Sequence, residues 1–226
     1  DKLSAKVKIH TNTKVEEVQK NNDGFTVKTS SGTFKADKIV STMPANELCH
    51  IYQTADKPQE ILDAADDLKY NSIAIGIVNV SKDKAGDNFA FMIADKDVKF
   101  HRLSKLDFLG SHYHKAGTAT YMVEITYRKN DLNDKASDAE LTGKIIEGLQ
   151  KIGFIDSSEE VNFTDIKRFE YAYVIYDLNH RRNMDKIKAW FAEEGVHLNG
   201  RFGSFEYLNM DAVIEQSQKL AKSLIG

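Results

Sequence analysis

The order of apolar and polar positions divides the chain into stretches of different periodicity. Between residues 6 and 41 apolar and polar side chains alternate over 6–10, 13–19, 25–29 and 36–41. That period of two predicts strands, because successive strand side chains point to opposite faces. Asn22-Asp23-Gly24 and Ser30-Ser31-Gly32 supply the hairpin turns between them. Thr42-Met43-Pro44 ends this meander, since proline cannot donate to a ladder. Helical spacing comes next at 46–52 and 58–68, where Ile61, Leu62, Ala65 and Leu68 share a face. The run 72–80 is almost wholly apolar and predicts a strand inside a sheet. Strands are expected at 88–94, 99–103 and 118–128. An amphipathic helix is expected at 138–152, a long strand at 162–175 and a helix at 183–194. A short strand at 196–200 and a last helix at 211–225 complete the pattern, with Val213, Ile214, Leu220 and Leu224 on the side expected to be buried. The fold class predicted is mixed α+β, a sheet with helices on one face.

Composition narrows the function classes. The 226 residues suffice for one large domain or two small ones, and 41% hydrophobic with 29% charged residues is ordinary for a globular chain. A net charge of −3 gives no electrostatic case for nucleic acid or an anionic membrane. No apolar run approaches the roughly 20 residues that span a bilayer. The lone Cys49 excludes an internal disulfide and suits a reducing compartment, so a cytoplasmic location is expected.

Residues 200–211, Gly-Arg-Phe-Gly-Ser-Phe-Glu-Tyr-Leu-Asn-Met-Asp, concentrate chemistry directly before the last helix. Gly200 and Gly203 permit close backbone approach. Arg201 offers a planar cationic fork. Asn209 is placed to cap the helix, whose free N–H groups at Met210 and Asp211 then face an acceptor. This stretch resembles the flavin-contacting end of UDP-galactopyranose mutases and related FAD-dependent oxidoreductases of the amine oxidase and protoporphyrinogen oxidase type. The resemblance extends to Thr13, Val15, Val18, Gly32, Ala36-Asp37, Ile39-Val40, Thr42 and Pro44, which share the family's strand-hairpin-strand order. It implies that Val15 meets the adenine side of FAD through its backbone, and that Gly200, Arg201, Tyr207, Asn209, Met210 and Asp211 lie against the ring. By side-chain chemistry alone, Val15 and Val18 need no ligand to explain them.

Tyr171-Ala172-Tyr173-Val174-Ile175-Tyr176-Asp177 resembles a segment of the family's sugar-pathway members, which implies substrate contacts from Tyr171, Tyr173 and Tyr176. Cross-strand aromatic packing explains the same pattern equally well. Arg181 and Arg182 read as solvated residues after that strand. His112 and His114, with His101 nearby, alternate as zinc ligands can, but no acidic or cysteine partners stand at metal spacing, so no metal is expected. Cys49 reads as a small buried residue.

The strand, G-x-G-x-x-G turn and helix that hold the FAD pyrophosphate in this family have no counterpart here. The chain is therefore expected to be the C-terminal portion of a longer flavoprotein. Residues 1–45 and 195–226 would belong to its Rossmann-like FAD domain and 46–194 to a substrate cap. Two chemistries remain open, hydride transfer to flavin and a mutase reaction without net redox. A non-catalytic interaction domain that kept the fold is the rival class. The chain alone is expected to hold FAD weakly and to be inactive.

Overall fold

The structure is a computed structural model that describes residues 4–110 and 116–225. In chain order it has β1 (Val15–Asn21), β2 (Gly24–Thr29), β3 (Gly32–Ala36), β4 (Ile39–Ser41), α1 (Ala45–Ile51), β5 (Tyr52–Gln53) and α2 (Gln59–Asp66). Then come β6 (Tyr70–Val80), β7 (Ala90–Met92), β8 (Arg102–Lys105), β9 (Ala119–Tyr127), α3 (Leu132–Lys135), α4 (Asp138–Lys151) and β10 (Val161–Val174). The last elements are α5 (His180–Glu194), β11 (Val196–Leu198) and α6 (Met210–Ile225). The mixed α+β class expected from the periodicities is the one found.

Packing divides the chain into two compact units, Asp1–Lys69 with Val174–Gly226, and Tyr70–Tyr173. These limits differ from the boundary pair near 45 and 195. The cause lies in α1, α2 and α5, which pack on one another and on the first unit's strands rather than joining the second unit's sheet.

In the first unit, β3, β2, β1 and β5 form a sheet in that order, antiparallel except for the β1–β5 pair. β1 carries a bulge between Val15 and Glu17, a device that re-aims a strand locally. Tyr52 is the hub of the helical side. It is fully buried and meets Trp190 and Phe191 of α5 edge-on, each at 5.4 Å between ring centroids. Its hydroxyl donates to Glu194 at 2.8 Å. Burial of rings this size contributes about 1.5–3 kcal/mol each, which fixes α5 and aims its C-terminal end at β11. There β11 pairs in parallel with β4, Val196 opposite Ile39 and Leu198 opposite Ser41.

The second unit is a five-stranded sheet ordered β10-β6-β9-β8-β7. β6 is flanked on both sides, as its apolar run predicts. One sheet face, carrying Ala74, Val78, Val123 and Ile125, packs against Leu141, Ile145 and Leu149 of α4. α4 begins at a capping box, in which the Ser137 hydroxyl accepts from the Glu140 N–H and the Glu140 carboxylate accepts from the Ser137 N–H.

Two expectations are corrected. The alternation at 6–10 forms no strand: Val7 and Ile9 are exposed, and the described residues there hold only a short turn at Ser4–Lys6. Two apolar side chains without a partner strand bury too little to fix an extended backbone. α6 forms where expected but fully buries none of its residues: of its stripe, Val213, Leu220 and Leu224 are half-buried and Ile214 is exposed.

Candidate functional site

The turn between β11 and α6 is built on the carboxyl ends of the parallel pair. Asn199 N–H donates to the Ser41 carbonyl at 2.9 Å, and Ala45 N–H donates to the Phe202 carbonyl at 3.0 Å, so the turn is tied to β4 and to the start of α1. Gly200 takes φ +80°, a left-handed conformation that favours glycine. Gly203 lies directly on the carbonyls of Asn199 and Ser41, where any Cβ would collide with backbone. The glycine pair thus draws the turn down onto the strand ends.

Arg201 organises the remainder of the turn. Its Nη1 donates to the Leu208 carbonyl at 3.2 Å, and its guanidinium stacks over the Tyr207 ring at 4.2 Å. Tyr207 N–H donates to the Tyr176 hydroxyl at 2.6 Å. Arg201 is a brace of the turn as well as a cation at its surface. Beyond it, Arg201, Leu208, Asn209, Met210, Asp211, Val213 and Ile214 line one open groove of about 800 Å³. The Asn209 carbonyl accepts the first intrahelical bond, from Val213 N–H at 3.1 Å. No side-chain cap from Asn209 is found among the described residues. The expected cap is therefore replaced by backbone alone. The N–H groups of Met210, Asp211 and Ala212 lie in the first turn, where a helix offers them no acceptor.

Other predicted residues fall elsewhere. Val15 lines a second, smaller groove with Val18, Val27, Ile39, Val40, Ser41 and Met43 in the same unit. Tyr176 belongs to the first unit, beside Tyr207 and edge-on to His180 at 4.6 Å between centroids. Tyr171 and Tyr173 belong to the second unit, where Tyr171 stacks on Tyr70 at 4.2 Å. The structure brings Arg201, Tyr207, Asn209, Met210 and Asp211 into one turn and groove. It does not bring the three tyrosines into one unit.

Sequence reasoning missed a polar cluster on the second unit's sheet. Glu124 of β9 is 1% exposed. Arg102 stands directly opposite on β8 and donates from both Nε, at 2.8 Å, and Nη2 to its Oε1. Tyr173, at the end of a strand two positions away, donates from its hydroxyl to Glu124 Oε2 at 3.0 Å. His101 Nε2 lies 3.7 Å from the same oxygen, and His101 Nδ1 is buried without a partner. Burial holds the His101 imidazole below its ordinary pKa, with Arg102 pushing the same way and Glu124 opposing. The available signal was Glu124 itself, a charged residue in an otherwise apolar strand.

Two buried polar atoms at the carboxyl ends of β4 and β11, Ser41 Oγ and Asn199 Oδ1, also lack partners among the described residues. Ligands of open parallel sheets bind at that end. The groove beside it offers apolar walls, unpaired helix N–H groups and one cation, which fits the ring end of a flavin. Among the described residues, no group of three or more His, Cys, Asp or Glu could hold a metal. His112 and His114 lie outside the described residues. Cys49 is fully buried, and burial pushes its thiol up to about 12, so it supplies no thiolate near neutrality. No helix among the described residues is long and apolar enough to cross a membrane.

A family model described as flavin containing amine oxidoreductase matches residues 1–223. No curated relative matches the sequence. Among solved structures, the chain is similar to a reduced UDP-galactopyranose mutase, with TM-score 0.80 and 16% identity over 90% of this chain and 43% of that one. It is similar to a protein described as a protoporphyrinogen oxidase from Exiguobacterium sp. 255-15, with TM-score 0.75 and 15% identity over 94% and 46%. It is also similar to a putrescine oxidase double mutant redesigned in cofactor binding, with TM-score 0.67 and 14% identity over 95% and 48%. The chain spans less than half the length of each of these proteins. At such identities the likeness is one of fold.

Proposed function

Because the chain belongs to the family of flavin containing amine oxidoreductases, we propose that it is the ring-facing and substrate-facing portion of an FAD-dependent oxidoreductase that acts on a small molecule. One observation carries the reading: Arg201, Asn209, Met210 and Asp211 converge on one groove at the start of α6. The flavin would supply the chemistry, accepting a hydride from a C–H or C–N bond. The chain's own residues would position it. The Met210 and Asp211 N–H groups would face negative charge that develops at the pyrimidine end of the ring. Arg201 would hold Tyr207 and the Leu208 carbonyl in place beneath it. Val15, at the bulge of β1, would meet the adenine side. Tyr171 and Tyr173 would contact substrate from the second unit's sheet, and Tyr176 would support the turn through Tyr207.

In this reading, residues 1–45 and 195–226 serve the FAD side. The substrate cap proposed for 46–194 has its working face within Tyr70–Tyr173. The upstream half of the complete protein would supply the pyrophosphate-binding turn and extend the β4–β11 pair, since parallel strands are normally covered on both faces. Without that turn, this chain alone holds FAD weakly and is inactive. A nucleotide-sugar substrate from surface polysaccharide synthesis and a cytoplasmic location complete the proposal.

The test is the visible spectrum of protein purified from the complete natural reading frame. An oxidised-flavin spectrum that bleaches with dithionite is expected. Candidate nucleotide sugars and amines can then be scored for flavin reduction, and turnover without net reduction would move the assignment to a mutase. A colourless protein that takes up no added FAD would leave a binding module on an inherited fold.

A further inference from the structure

The Arg102–Glu124–Tyr173–His101 cluster is not explained by packing. The sheet face that carries Ala74, Val78 and Val123 is closed by α4. Glu124 alternates with Val123 and Ile125 along β9, so it belongs to the other face. Phe169 of β10 is 51% exposed, and the Arg102 and His101 side chains are 37% and 36% exposed. A carboxylate 1% exposed in the middle of a sheet is costly to bury, and apolar replacements of similar volume commonly serve stability as well or better. A reason other than stability is therefore needed for this pair.

The charges suggest one. Arg102 directs Nε and Nη2 at Glu124 Oε1. The Tyr173 hydroxyl donates a hydrogen bond to Oε2. His101 is held toward its neutral form by burial. The formal charges of the four groups then sum to zero, and Tyr171, which stacks on Tyr70, shares the strand face of Tyr173. An aromatic surface next to neutral polar groups suits an uncharged ring that bears hydroxyl or carbonyl groups.

We propose that Glu124 is a specificity-determining residue: by neutralising Arg102 within the fold, it sets this face to accept uncharged polar ligand groups and to refuse phosphates and carboxylates. An anion brought to Arg102 must compete with a carboxylate already in place, and like charges so close are a strong deterrent. The inference rests on the reading that the Tyr171–Tyr173 face meets substrate.

The test uses inorganic pyrophosphate as the probe and calorimetric titration of the complete, flavin-loaded protein. Wild type is expected to bind pyrophosphate weakly at this face. Glu124→Gln is expected to bind it at least about tenfold more tightly, with an affinity that falls as salt rises. The double variant Glu124→Gln with Arg102→Gln should return to the wild-type value. A folded E124Q with unchanged affinity overturns the proposal. So does a wild type whose pyrophosphate binding is already tight and is lost in R102Q. If E124Q does not fold, Glu124→Leu removes the charge at similar volume, and a folded E124L without any gain overturns the proposal equally. Tyr173→Phe separates the two readings. If it leaves substrate turnover unchanged while E124Q gains pyrophosphate, the charge argument stands and the substrate-face reading falls. If it impairs turnover while E124Q gains nothing, the reverse holds.

Discussion

α4 and α6 are both amphipathic helices of similar length, and they end differently. In α4, Leu141, Ile145 and Leu149 are at most 1% exposed, pressed on the second unit's sheet. In α6, the corresponding stripe of Val213, Ile214, Leu220 and Leu224 yields no buried residue, and Ile214 is 58% exposed. The sheets beside them differ in the same way. The five-stranded sheet has a closed core on one face, whereas the parallel pair β4–β11 leaves Val40 44% exposed. An apolar stripe announces that a helix has a face to cover. It does not say which residues cover it. In the second unit the cover is complete, and in the first the described residues supply only part of it.

The largest effect expected from this contrast is in core truncation. Ile145→Ala should destabilise the chain by about 2–5 kcal/mol, because it opens a cavity under α4. Ile214→Ala in the same chain should change stability by less than about 0.5 kcal/mol, as surface substitutions do. Denaturant unfolding monitored by circular dichroism measures both. Equal costs for the two substitutions in the chain alone would break the comparison.

Helix starts give a smaller effect. Ser137 closes a capping box at α4, and Ser137→Ala should cost about 1 kcal/mol. Asn209 makes no side-chain cap at α6, so Asn209→Ala should cost no more than a few tenths of a kcal/mol. Thermal unfolding of the paired variants checks the difference. A cost at Asn209 matching that at Ser137 would show that the helix start is capped after all.

The smallest effect concerns acid. Asp67 accepts from the side-chain amides of Asn183 and Asn179, each at 2.9 Å, and these bonds hold its carboxyl below the usual 3.8. A depressed carboxyl contributes stability that is complete above its unfolded pKa of about 4 and is lost as pH falls through the lower folded value. Asp67→Asn should therefore lower stability in the neutral range, where that contribution is complete, and flatten the further loss below about pH 4. Denaturation midpoints across that range report it, and an acid limb as steep as that of wild type would remove Asp67 from the account.

Much of the candidate site was legible in the sequence because its parts are close along the chain. Residues 200–211 are a single turn, and their glycines, Arg201 and the helix start needed no long-range information to be read together. The Tyr171–Tyr173 pair was legible as one strand face. What escaped was the cluster around Glu124. It joins β8, β9 and β10, and its members are dispersed between residues 101 and 173. Nothing in a strand's periodicity reports which residue of another strand will stand opposite.

The sequence by itself determined most of the elements, their order and the mixed α+β class, because period and turn residues act over a few residues. It also determined that Gly203 and its neighbours would form a tight approach before a helix. Only the tertiary structure decided that α1, α2 and α5 pack with the first unit, that α6 leaves Ile214 exposed, and that Arg102 meets Glu124. Those outcomes depend on contacts between segments distant in sequence, where burial and register, rather than local propensity, set the lowest free energy.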